Sequence, residues 1–120
     1  MAWIFLNVPS KDWCPLARQF GHEFGHVFCN SWGPSAAAGP PTQWLEEALV
    51  EAFTIRGLGL LASSWEESPP FPGDHAFAAT IREYRAGRLR MYNKQGDQDI
   101  GFWFRARRSE LESGRPADKD

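Results

Sequence analysis

His22 and His26 stand four residues apart in the run H-E-F-G-H, and Glu23 directly follows the first of them. On a helix, residues i and i+4 share a face, so both imidazoles can reach a single ion. Neutral imidazole is a good zinc ligand, with bonds of about 2.0–2.1 Å. A glutamate placed next to the first histidine sits beside such an ion rather than on it. There it can take a proton from a water whose pKa zinc lowers to about 7, and pass it to a leaving amine. The plain alternative is a pair of surface or core histidines with a solvated glutamate between them.

A second segment, QWLEEALVEAFTIRGLGLLA, is so apolar that Glu47 and Glu51 call for an explanation. Buried carboxylates are costly unless they are paired or bound to a metal. These two lie one helical turn apart and project from the same side. An ion held by two histidines lacks a third protein ligand. Glu47 can supply it, giving a His2Glu set with a position open for water. Glu51 can then accept the spare N–H of a ligand histidine and fix its tautomer. Glu46 lies near the helix start, where the dipole favours a carboxylate. It reads as solvated, and as the substitute ligand under a different register.

The elements that must position these groups follow from periodicity and breakers. Residues 3–8 (WIFLNV) read as one strand ending at Pro9. Ser10 or Asp12 can cap a helix over about 12–30, with Pro15 in its first turn. Its stripe of Leu16, Phe20, Phe24, Val27 and Phe28 is expected to face the core. The histidines then face a groove. Gly21 and Gly25 each cost that helix roughly 1 kcal/mol relative to alanine, as close packing of a sheet or a substrate against the face would require. Residues 31–41 read as a loop, and Thr42 as the cap of a helix through Ala62 that lies in the core. A proline-rich connection spans residues 63–73. Asp74 caps a third helix to about Arg90, with Phe77, Ile81, Tyr84 and Leu89 on one side. Residues 95–98 break the chain, and Asp99 caps a last helix through Glu112. Residues 1–112 thus form one domain, and 113–120 a disordered tail.

The 120 residues suit one domain with a modest core, and 42% apolar content marks a globular chain. A formal charge of −2 gives no field that would attract nucleic acid or anionic lipid. The late arginines are interleaved with acids and read as a solvated helix face. No apolar run approaches the roughly 20 residues of a membrane span, and the opening MAWIFLNVP makes a poor signal peptide. Cys14 and Cys29 fall on one helix about 22 Å apart, too far for a disulfide. Reduced thiols fit a cytoplasmic protein.

HEFGH and W-L-E-E-A-L-V-E together resemble the active-site helix and "glutamate helix" of the gluzincins, the thermolysin-like and aminopeptidase-like zinc peptidases. Twenty residues lie between His26 and Glu47, close to the usual gap in that group. The likeness covers residues 14–56, and in compactness the chain resembles the minimal gluzincins. It implies an α+β, mostly helical, zincin-like core: the two motif helices, a small sheet on the N-terminal side and two further C-terminal helices. It also implies that His22, His26 and Glu47 bind zinc, that Glu23 is the general base acting on peptide bonds of a peptide or protein substrate, and that Glu51 orients a ligand. Three departures stand out. A single expected strand precedes the active-site helix, where the family's catalytic domains carry several, one of which binds the peptide substrate. The family's usual Asn-Glu step is Glu46-Glu47 here, and no residue matches its oxyanion-stabilising Tyr or His, for which Tyr84, Tyr92 and His75 are the candidates. Two rivals remain: a zinc-binding interaction or regulatory domain with little or no catalysis, and a helical domain without metal.

Overall fold

A computed structural model describes residues 3–9, 11–29, 43–93 and 99–113. Four helices make up its regular structure: α1 (Trp13–Cys29), α2 (Gln43–Glu67), α3 (Ala76–Asn93) and α4 (Ile100–Glu112). The first three run up, down and up. Gly21 faces Thr54 while Gly25 faces Val50, so α1 and α2 are antiparallel. On the other side of α2, Trp65 meets Phe77 and Glu51 meets Tyr92, so α2 and α3 are antiparallel too. The central helix therefore carries the core, formed by Ile55, Leu58 and Ala62 with Cys14 of α1 and Ile81 of α3. Trp13, Trp65, Phe71 and Phe77 close one end through ring contacts of 5.7–6.4 Å, mostly edge to face.

The expected α+β core with a small sheet is corrected: among the described residues there is no strand. Residues 3–9 are irregular, and Trp3 and Phe5 are exposed. A lone strand leaves its backbone groups without a ladder partner, and no second strand among these residues supplies one. The segment instead leans on α1, where the Asn7 backbone N–H donates to Gln19 Oε1 at 2.9 Å.

The side of α1 that packs inward also differs from expectation. Phe20, Phe24 and Phe28 are exposed and touch in a row along the outer surface, the first pair stacked and the second edge to face, with Phe28 reaching Phe53 of α2. The inward face is small and polar: Cys14, Ala17, Arg18, Gly21, His22, Gly25 and His26. Gly25 is what permits this. A Cβ there would lie 2.9 Å from Val50 Cγ1, so the helices approach more closely than any side chain would allow. The glycines thus admit α2, rather than a sheet or a substrate.

α2 continues five residues past the expected end at Ala62, to Glu67. No breaker intervenes before Pro69, and Trp65 is held by Phe77. Asp74 accepts from Ala76 N at 3.0 Å as α3 begins, and α3 runs to Asn93 rather than Arg90. Asp99 caps α4 as expected, accepting from the amides of Gly101 and Phe102. No residue of α4 is buried, and Trp44 touches it through Phe104 at 5.8 Å between ring centroids. No described helix is long and apolar enough to cross a membrane. The expected loop over 31–41, the Thr42 cap, the break at 95–98 and all but the first residue of the expected tail lie outside the described residues.

Candidate metal centre

Close packing at Gly25 sets Val50 against the stretch of α1 between its two histidines, and the acids that flank Val50 along α2 then meet the imidazoles. His22 and His26 turn their Nε2 atoms toward each other, 3.3 Å apart. Glu47 reaches both, with Oε2 3.3 Å from His22 Nε2 and Oε1 3.5 Å from His26 Nε2. One ligand atom from each of His22, His26 and Glu47 lies within 4.8 Å of the others, a grouping that could hold a metal ion. The histidines are mostly buried, whereas the Glu47 side chain is 46% exposed, so the group opens to solvent on the glutamate's side.

The far side of each ring meets a carboxylate. His26 Nδ1 lies 2.6 Å from Glu46 Oε1, a short hydrogen bond between two largely buried side chains. His22 Nδ1 lies 3.3 Å from Glu51 Oε2 but is not aligned with it as a hydrogen bond. The reading of Glu46 as solvated is thereby corrected. Its position three residues after Gln43 on α2 points it at α1 rather than at water, and it meets the outer nitrogen of His26, away from the point where the Nε2 atoms converge.

Glu51 is the most heavily tied group of the site. Arg18 grips it with two nitrogens, Nε at 3.3 Å and Nη2 at 2.9 Å, the Tyr92 hydroxyl donates to Oε1, and Arg88 Nη2 stands 3.5 Å away. Burial opposes the charge on Glu51. The Tyr92 hydroxyl, then Arg18 and Arg88, outweigh it and hold the carboxyl below its ordinary range. Burial likewise works against the Arg18 charge, but Glu51 and then Tyr92 leave its pKa raised.

The three candidate oxyanion residues separate clearly. Tyr84 borders a cavity of about 250 Å³ together with His22, Glu23 and Arg18, under the Asn7–Val8 stretch. Tyr92 is engaged by Glu51 and by Arg88, which donates to its oxygen at 2.7 Å. His75 sits in the turn before α3, at the end of the bundle where Trp13 meets Phe77, roughly 14 Å along α1 from His22. It takes no part in the group. A larger groove of about 930 Å³ between α2 and α3, lined by Ile55, Arg56, Leu60, Arg85 and Tyr92 among others, reaches the site only through Glu51.

Sequence reasoning missed Arg18, Arg88 and the role of Glu46. For Arg18 the signal was present: positions 18, 22 and 26 repeat every four residues, so whatever the histidines face, Arg18 faces too. Arg88 comes from a helix whose register against α2 had no marker in the sequence. No protein-family model matches the chain, and no curated protein or solved structure matches it either.

Proposed function

We propose that the chain is a zinc-dependent hydrolase of peptide bonds, with His22, His26 and Glu47 as the metal ligands. The observation that carries this reading is the spacing of the ligand atoms. Zinc bonds of about 2.0–2.2 Å at tetrahedral angles place neighbouring ligand atoms about 3.3–3.6 Å apart. The two Nε2 atoms lie 3.3 Å apart, and Glu47 brings Oε2 to 3.3 Å from His22 and Oε1 to 3.5 Å from His26, with one ligand atom from each residue within 4.8 Å of the others. The donor chemistry fits as well, being two imidazole nitrogens whose outer nitrogens face carboxylates, and one carboxylate open to solvent.

Bound zinc would supply a Lewis acid that polarises a carbonyl and brings water to ionisation near neutral pH. On this reading Glu23, next to His22 in the chain, is the general base that would take a proton from the attacking water and return it to the leaving nitrogen; it borders a cavity with His22 that His26 and Glu47 do not line. Tyr84, on the wall of that cavity, is the candidate donor of a hydrogen bond to the carbonyl oxygen. Arg18 and Glu51 hold the His22 side of the site in place.

A second reading is favoured by one observation: among the described residues no strand lies beside α1 to align an extended peptide. On that reading the domain binds zinc and a partner with little or no catalysis. Glu23→Gln separates the two. The variant is expected to keep zinc and lose hydrolysis of a peptide library that the parent cleaves. Retained cleavage would remove Glu23 from the mechanism, and a zinc-loaded parent that cuts nothing in the library would favour the non-catalytic domain.

A further inference from the structure

We infer that Glu46 is a positioning residue for the metal centre, holding His26 in the tautomer whose Nε2 is free to bind; this rests on the metal reading above. An imidazole offers two nitrogens, and a neutral ring presents a lone pair on only one of them. Left to itself the ring can place its proton on either. In this chain the choice is made by α2. The Glu46 carboxylate accepts from His26 Nδ1 at 2.6 Å, so the proton stays on the outer nitrogen and the lone pair points inward. The inward Nε2 is the atom that lies 3.3 Å from His22 Nε2 and 3.5 Å from Glu47 Oε1.

The contact also fixes where the ring stands. His26 and Glu46 side chains are only 14% and 18% exposed, so little water competes for the bond. Glu46 and Glu47 are adjacent on one helix, and Gly25 locks that helix against α1. One short stretch of α2 therefore supplies both the ligand carboxylate and the brace for the ligand imidazole. His22 has a looser brace in Glu51, which stands 3.3 Å away without an aligned bond and is shared with Arg18, Arg88 and Tyr92. The two histidines are thus held unequally, with His26 the better fixed.

The test combines two readouts on the full chain. Nitrogen-15 NMR of the histidine rings in zinc-free protein, at a pH where they are neutral, is expected to show His26 as the Nδ1–H tautomer. In Glu46→Ala that preference is expected to disappear. Competition of zinc chloride against a chromophoric chelator is expected to show about 10–100-fold weaker binding in Glu46→Ala. Glu46→Gln, whose carbonyl oxygen can accept the same bond, should recover much of the loss. A His26 ring in the Nε2–H form in the parent, or parent-like zinc affinity in a folded Glu46→Ala, overturns the inference. If Glu46→Ala does not fold, the parent tautomer and the Gln variant decide it. A parent that takes up no zinc refutes the metal reading instead, and the tautomer still decides whether Glu46 sets the ring.

Discussion

Replacing Gly25 with alanine sets two effects of opposite sign against each other. Alanine in a helix interior is favoured over glycine by about 1 kcal/mol. The new Cβ, however, would stand 2.9 Å from Val50 Cγ1, 3.1 Å from Cγ2 and 3.3 Å from Cβ. Rotating Val50 leaves at least one γ-methyl against the new Cβ and departs from the rotamer a helix prefers, and the residue is only 1% exposed, so it has nowhere to move. The helices must separate, and overpacking of this kind costs about 1–3 kcal/mol. The net change is a loss of about 0–2 kcal/mol. Gly21 is the internal control. A Cβ there meets Thr54 Cγ2 at an ordinary 3.5 Å, so Gly21→Ala should gain up to about 1 kcal/mol. Equilibrium unfolding in denaturant measures both. In Gly25→Ala zinc affinity should fall too, because the separation displaces Glu47 from the histidines, and adding Val50→Ala should restore part of the stability and of the affinity. If Gly25→Ala stabilises as much as Gly21→Ala, the close approach of α1 and α2 does not exist, and the convergence of His22, His26 and Glu47 goes with it.

Glu47→Ala should abolish stoichiometric zinc uptake, measured by metal analysis after dialysis, while His75→Ala should leave it unchanged; the reverse pattern would contradict the assignment. Because the Glu51 carboxyl is held below its ordinary value of 4.5, its contribution to stability is complete above that pH and is lost as the pH falls through the lower folded-state value. Tyr92→Phe removes the foremost of the favourable contacts, so its acid unfolding should begin at higher pH than the parent's, as followed by circular dichroism. In native protein a maleimide should modify exposed Cys29 and spare Cys14, which is buried and whose thiol pKa burial raises; equal rates would place Cys14 at the surface.

The sequence determined the helices and which side chains share a face within α1 and within α2. Helix α1 ends within a residue of expectation, and Asp99 caps α4 because a short carboxylate next to free amides is a local interaction needing no partner from elsewhere. That His22 and His26 share a face follows from helical pitch alone, as does the pairing of Glu47 with Glu51. Only the tertiary structure decided which face of α1 turns inward. Counting apolar residues favoured Phe20, Phe24 and Phe28, yet the close approach at Gly25 and the carboxylate contacts of Arg18, His22 and His26 take the opposite side. The same packing moved Glu46 from solvent to the His26 ring and brought Tyr92 and Arg88 from a distant segment onto Glu51. It also left residues 3–8 without a sheet, since a strand exists only where another strand pairs with it. A helix closes its own hydrogen bonds and can be read from its own residues. Facing, register and strand pairing depend on two segments meeting, and periodicity within one segment carries no information about the other.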